Sequence, residues 1–509
     1  MRPTGWGEVV GWDKRSASQQ QVEVESLGFG SLPPAYRLAA RGIVWCHFGC
    51  SIADEAHRLL TPRSSVSDIA WPALPAPAAA AMLAMQYQLE QSQWWSPEAL
   101  RQQQSRQLGE VLAHARATVP FYRERLGAVA FGPDGGIATE EFARIPLLRR
   151  EEVRAAGEAL LSRQVPRDHG RLLEHQTSGS TGRPIRAFGT EITQFFWNAL
   201  TLRDHLWHQR DLSGKLASIR TTVEDGMAQG WGPSTDVAFD TGPSAMLNIR
   251  ADIETQLRWL QKQEPDYLLS HPSNILALAR SSLAAGVRLR NLKQVRAFGE
   301  TVTSELRIVC REAWGAAVVD AYSAQEIGYI ALQCPEHEHY HIQAENVLVE
   351  VLDSDGRPCA PGEIGRVVIT TLHNFAMPLI RYEILDYAEA GEACPCGRGL
   401  PVIRRVLGRQ RNLVTLPDGR RHWPSFPAES WAHIAPIRQI QLVQREPDGI
   451  EARLVSDRPL AAEEEQALGA VLQERLGYPF RITFRYLEQI ERKANFKYED
   501  FISELPASR

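Results

Sequence analysis

The sequence predicts a mixed α/β fold, with a large N-terminal α/β lobe followed by a small C-terminal α+β lobe. Three observations predict it. Helical and strand signals alternate from about residue 86 to about residue 330. The segment "VLVEVLDSDGRPCAPGEIGRVVITTL" reads as two strands joined through an Asp-Gly and a Pro-Gly turn. The last hundred or so residues hold a hairpin, a helix and one more strand.

In chain order, residues 1–85 look unlike the rest. They pass from polar to Pro/Ala-rich without sustained periodicity, and are expected to form a poorly ordered extension ending near Met82 or Met85. An upstream start codon, with the functional protein beginning at one of those methionines, would account for the same pattern. Next comes "SPEALRQQQSRQLGEVLAHARATVPFYRERL", with apolar residues at helical spacing. Ser96-Pro97-Glu98 starts this helix and Pro120 halts it. Buried strands are predicted at "VRAFGE" (295–300) and "AAVVDAYS" (316–323), with the helical "SELRIVCREAW" before the second. In the last part "IRQIQLVQREPDGIEARLVS" is a hairpin around Pro447-Asp448-Gly449, followed by the helix "AAEEEQALGAVLQERLG" and the strand "FRITFRYLEQI". The expected division is an extension over 1–85, a large domain over 86–408 and a small, mobile domain over 409–509.

Composition narrows the function classes. A formal charge of −5 argues against a nucleic-acid binder that works by bulk electrostatics. No apolar stretch is long enough to span a bilayer, so no membrane insertion is expected, and the start lacks the apolar core of a signal peptide. A cytoplasmic location is the resulting expectation. Seven cysteines, an odd number in a long chain, make a disulfide framework a poor reading. Lysine is scarce, yet Lys493 and Lys497 both fall near the end.

The stretch "HQTSGSTGRPIRAFGT" packs Thr177, Ser178, Gly179, Ser180, Thr181 and Gly182 ahead of a proline. Small side chains leave backbone N–H groups and hydroxyls free to surround an anion, while a solvated linker would have the same composition. The GxxxxGK[ST] loop of kinases and GTPases is absent, since Arg183-Pro184 follows the last glycine.

TSGSTGRP resembles the phosphate loop of the adenylate-forming superfamily, which includes acyl-CoA synthetases. Further matches follow in the family's order: "AYSAQEIG" (321–328), "MPLIRYEILDYAEAG" (377–391), "VLGRQRN" (406–412) and "RKANFK" (492–497). "HARATVPFYRERL" and the pairing of "RYEILDY" with "CPCGRGLPVIRRVLGR" resemble phenylacetate–CoA ligases and their capsule-biosynthesis relatives. The resemblance covers roughly 95–505. It implies the adenylate-forming fold and attack of a small-molecule carboxylic acid on the α-phosphate of ATP, then transfer of the acyl group to coenzyme A.

The resemblance also implies roles. Residues 177–182 would hold the triphosphate, Glu326 a Mg²⁺ ion, and Asp386 the ribose hydroxyls. Tyr322 would stack on adenine, where a buried core tyrosine is the competing reading. Arg409 would mark the lobe junction, and Gly299 and Glu300 in "AFGE" would border the nucleotide and acid. Lys497 would be the mobile catalytic cation, five residues after Arg492; Phe496 stands where the family usually has glycine. Arg411 and Asn412 replace the acid usual at the hinge, which puts thioester formation in doubt. The alternatives are an amine or hydroxyl acceptor or AMP transfer, as in capsule or exopolysaccharide synthesis, and a non-catalytic homologue. Phe195, Phe196 and Trp197 could be pocket wall or core.

Finally, "CPEHEHYHIQ" and "CPCGR" offer Cys334, His341, Cys394 and Cys396 as a Cys₃His set typical of structural zinc. The resemblance implies His341 over His337 and His339, since in relatives the histidine precedes a hydrophobic residue and an acidic segment. A reduced, inert pair of cysteines in a turn is the competing reading. Oligomeric state is not legible.

Overall fold

The structure is a computed structural model that describes residues 61–176, 185–221, 223–409, 412–424, 426, 430–431, 433–490 and 499–505. All of them belong to one unit, Arg58–Arg509.

Two helices open it, α1 (Pro77–Ser92) and α2 (Pro97–Thr118). Ser96 starts the second by accepting a hydrogen bond from the Ala99 N–H, and Pro97 has no N–H left to satisfy. The start and stop predicted from sequence therefore hold. α1 departs from the expectation. The boundary expected at 85/86 falls in the middle of it, and Met82 and Leu89 are both buried against Leu200 and Leu202. The Ala-rich run carries no amphipathic period because alanines fill most of it. Alanine is nonetheless the best helix former, and Pro77 presets the first turn.

After the short helix α3 (Arg150–Ala156), strands β1 (Leu172–Gln176) and β2 (Arg186–Thr190) form an antiparallel ribbon with Gln176 opposite Arg186. The Thr177–Gly182 stretch between them lies outside the described residues. α4 (Glu191–Trp207) follows directly.

The large sheet has two halves. In the first, β3 (Leu216–Arg220), β5 (Ser244–Asn248), β6 (Tyr267–Ser270), β7 (Gln294–Phe298) and β8 (Ala317–Ala324) run parallel in the order β5-β3-β6-β7-β8. The short β4 (Gly226–Ala228) lies antiparallel at its edge. Helices α5 (Ile253–Gln263), α6 (Pro272–Ala284) and α7 (Ser304–Trp314) cover one face, burying Ala217, Ile219, Val295 and Ala297. Strand alternation sends Ser218, Arg220 and Arg296 to the opposite face, the side of α1 and α4.

The direction reverses at β9 (Gly328–Gln333). The antiparallel half continues as β10 (Tyr340–Ile342), β14 (Val402–Arg409), β13 (Tyr382–Ala390), β12 (Ile364–Thr371) and β11 (Val347–Leu352). Its core takes in Val111, Leu112 and Tyr122 from the α2 region.

The C-terminal part has its own core. A ribbon of β15 (Val414–Thr415) and β16 (Arg421–His422) precedes the hairpin β17 (Ile437–Glu446) and β18 (Gly449–Ser456). Helix α8 (Ala462–Leu476), β19 (Arg481–Tyr486) and β20 (Phe501–Ser503) complete it, in sheet order β19-β18-β17-β20. Leu442, Leu454, Leu468, Leu472 and Phe480 are buried together there. Among the described residues no helix is long and apolar enough to cross a membrane.

Candidate active site

The carboxyl ends of the parallel strands share one edge of the sheet, the usual place for a ligand in an α/β fold. β8 brings Tyr322 there, and its hydroxyl donates to Asp386 Oδ2 at 2.8 Å. Asp386 is aimed by an irregularity: Arg366 pairs with Tyr387 and Val368 with Glu383, so residues 384–386 bulge opposite Val367. Leu385 inside the bulge holds a φ of 70°, a left-handed value that bulky residues seldom adopt. Arg409 at the end of β14 closes the group, with Nε 3.5 Å from Asp386 Oδ1. Tyr322 is only 9% exposed and packs against the core. Its hydroxyl fixes the carboxylate.

Glu326 sits just past β8 and is 8% exposed at its side chain. Burial raises its pKa, and the backbone and the Arg150 guanidinium, 3.6 Å away, pull it back. Arg150 comes from α3 and also donates to the Tyr382 hydroxyl at 3.3 Å. Glu326 lines a cavity of about 170 Å³ together with Phe188, Thr193, Trp197, Asn346 and His373. The β1–β2 ribbon, through His175, Phe188 and Gly189, thus forms one wall. Phe196 stacks on His373 with ring centroids 3.9 Å apart, while Trp197 is both cavity wall and partner of Tyr329 at 4.9 Å.

Gly299 has a φ of 79°, open to glycine with little strain. The turn it makes returns the Glu300 carboxylate to the start of α6, where it accepts from the Ser273 N–H at 2.8 Å and the Ser273 hydroxyl at 3.2 Å. Glu300 therefore braces the strand end. Lys497 and Arg492 lie outside the described residues, as does Arg411. Asn412 is described: it accepts from the Arg409 N–H at 3.1 Å and donates to the Phe501 carbonyl at 2.8 Å. It ties the end of β14 to the strand that follows Lys497 in the chain.

The cysteine and histidine cluster lies elsewhere, around β10 and the 394–396 turn. Cys334, His339, His341 and Cys394 place one donor atom each within 4.8 Å of all the others. Cys334 Sγ and Cys394 Sγ are 3.8 Å apart, close to the separation of two thiolates each about 2.3 Å from one tetrahedral zinc ion. His339 Nε2 is 2.9 Å from Cys394 Sγ, and Cys396 Sγ is 3.5 Å from His341 Nε2. His339, passed over in the sequence reading, thus stands in the group of four, and Cys396 stands beside it. Alternation along β10 is the reason: His339 and His341 straddle Tyr340, so both reach the same side. Burial pushes the Cys334 and Cys394 thiols up and His341 down to about 3. The imidazole is therefore neutral, as a metal ligand must be.

No protein-family model matches the chain. Individual relatives do. A phenylacetate–coenzyme A ligase of Thermus thermophilus is 28% identical over 332 residues, covering 63% of this chain and 72% of the relative. A phenylacetate–coenzyme A ligase of Pseudomonas putida is 26% identical over 354 residues, 68% of this chain and 77% of that one. Among solved structures, 2-hydroxyisobutyryl-CoA ligase in the postadenylation state with R3-HIB-AMP superposes with a TM-score of 0.62. It is 20% identical and the match covers 78% of this chain and 88% of that one. The chain is thus similar to phenylacetate–CoA ligases in sequence, and to an adenylate-forming CoA ligase in fold.

Three of the five motif segments reach the described residues. These three, carrying Tyr322, Glu326, Asp386 and Arg409, converge on one strand edge. Arg150 was missed, because an arginine in "PLLRREEV" has no pattern to distinguish it from its neighbours. Only the fold brings it to Glu326.

Proposed function

We propose that this protein activates a small-molecule carboxylic acid with ATP, forming an acyl-adenylate and pyrophosphate, and passes the acyl group to coenzyme A. One observation carries the reading: Tyr322, Glu326, Asp386 and Arg409 come from separate motifs and gather at a single strand edge, in a chain whose relatives are phenylacetate–CoA ligases.

The reaction crowds negative charge around the α-phosphate, so fixed donors and cations do the work. The Thr177–Gly182 loop would hold the β- and γ-phosphates through backbone N–H groups and the hydroxyls of Thr177, Ser178, Ser180 and Thr181. Asp386, held by Tyr322 and Arg409, would accept from the ribose hydroxyls. Glu326 is a hard oxygen donor on the cavity wall and fits Mg²⁺, which when bound would neutralise phosphate charge. Lys497 would complete the site from the small domain over 409–509, which would move relative to the 86–408 domain. The Cys/His cluster would hold a structural zinc ion. A cytoplasmic location, where ATP and coenzyme A are both at hand, goes with this reading.

A second reading keeps the adenylate and changes the acceptor to an amine or hydroxyl. Asn412 in place of the usual hinge acid favours it. The test is pyrophosphate release from purified protein with ATP, Mg²⁺ and a panel of aryl and acyl carboxylates, with and without coenzyme A. Acid-dependent release together with consumption of coenzyme A is expected. Release that leaves coenzyme A untouched selects the second reading, and no release with any acid refutes both.

A further inference from the structure

Among the described residues no lysine or arginine lines the cavity beside Glu326, and the ribose group of Tyr322, Asp386 and Arg409 is not on its wall either. Phe188, Trp197 and Ile327 make part of that wall apolar. A second anionic group would meet the Glu326 carboxylate there with no fixed cation to offset it, so the cavity suits an uncharged group.

Two side chains on the wall are held so that each keeps an acceptor uncommitted. The β11–β12 ladder ends with Val347 opposite Thr371. Past that pair the chains stay joined: the Leu372 N–H donates to the Asn346 carbonyl at 3.2 Å, and His373 Nε2 lies 2.8 Å from the Glu345 carbonyl. A carbonyl only accepts, so Nε2 carries a proton. Burial pushes the His373 pKa down to about 4, so near pH 7 the ring holds that one proton and Nδ1 is a bare acceptor. The stacked Phe196 ring fixes the imidazole, and Glu345 is itself held by Arg203 at 3.1 Å and the Ser92 hydroxyl at 2.6 Å. Asn346 is only 7% exposed, and its Nδ2 donates to the Tyr329 carbonyl at 3.0 Å, which makes Oδ1 the acceptor end. Asn346 Oδ1 and His373 Nδ1 have no partner among the described residues, yet neither is a buried orphan. Both residues line the cavity, so the two acceptors open into it. Trp197 stands across Gly328 from Asn346: a Cβ at 328 would lie 3.7 Å from Asn346 Nδ2 and 3.9 Å from the Trp197 ring.

Two oriented acceptors beside apolar walls are completed by a hydrogen-bond donor, and a group without one leaves them unpaired. Glu326 lines the same cavity, so an acid whose carboxylate reacts beside it can place its body there. We infer that the acid this enzyme activates carries an uncharged hydrogen-bond donor, a hydroxyl or arylamine, and that Asn346 Oδ1 and His373 Nδ1 accept from it. The inference rests on the proposed function.

The experiment measures pyrophosphate release with acids matched in size that differ in the donor. The 3- and 4-hydroxyphenylacetates and 3- and 4-aminophenylacetates are compared with the 3- and 4-methylphenylacetates, and 6-hydroxyhexanoate with heptanoate. In wild type at least one donor acid should exceed its methyl counterpart by about tenfold or more in kcat/KM, since the methyl group leaves both acceptors unpaired. Asn346→Leu and His373→Phe, similar in size but without the acceptors, should each draw that ratio toward unity. Wild type that takes every methyl acid as well as its donor counterpart overturns the inference and leaves the proposed function standing, and that comparison needs no variant to fold. A ratio unchanged in both variants overturns it too; if the KM for ATP rises at the same time, the acceptors belong to the nucleotide. If no acid of any kind releases pyrophosphate, the proposed function falls and this inference falls with it.

Discussion

Replacing Arg150 by methionine removes the nearest cation from a carboxylate that is almost out of water. The Arg150 side chain is 3% exposed, the Glu326 side chain 8%, and their charged atoms are 3.6 Å apart. At an effective dielectric constant of about 20 two unit charges at that distance attract by roughly 4–5 kcal/mol, much of it offset by desolvation. Removing one partner of a buried pair strands the other, and typically costs about 3–5 kcal/mol. Arg150→Met and Glu326→Gln should therefore each lower the unfolding free energy. The double variant should lose less than their sum, by about 2 kcal/mol or more. The assay is urea unfolding followed by tryptophan fluorescence, run on all four proteins as a cycle. The lost hydrogen bond to Tyr382 is common to both proteins that carry Arg150→Met, and it cancels. Additive single effects, with a coupling below about 0.5 kcal/mol, would refute the pairing.

Three further outcomes are expected. Asp320 is buried and accepts from the Tyr340 hydroxyl at 2.6 Å, and burial raises its pKa from 3.8 to about 6. The native state therefore holds that proton more tightly than the unfolded chain, and the stability it contributes is present at low pH and lost as pH rises through about 6. Asp320→Asn should gain on wild type between about pH 4 and 6, levelling at roughly 3 kcal/mol above that; a difference that is flat with pH counts against it. Lys497→Ala should lower acyl-adenylate formation by orders of magnitude, as loss of a transition-state cation does, and near-wild-type rates would move the role to another residue. Purified protein should carry one zinc ion per chain by elemental analysis, absent in Cys394→Ser and His339→Ala but kept in Cys396→Ser. Zinc retained without His339 and lost without Cys396 would restore the Cys₃His set read from sequence.

Much of the fold was legible because the signals were local. Ser96-Pro97 starts α2, Pro447-Asp448 turns the β17–β18 hairpin, and alternating runs mark β11 and β12. α1 was not legible, since an alanine-rich helix shows no period until Met82 and Leu89 are seen against α4. The site divides in the same way. Glu326, Asp386 and Arg409 were readable because each sits in a motif several residues long.

By itself, then, the sequence determined the order of elements, the resemblance to phenylacetate–CoA ligases and the residue types offered for the chemistry. Tertiary structure alone decided which of them meet. It set Arg150 beside Glu326 and turned both His339 and His341 toward Cys394 and Cys396. Chain spacing fixes neighbours only within a turn or a strand. Pairings between residues far apart depend on where the sheet carries each strand end, and on which face its alternation presents.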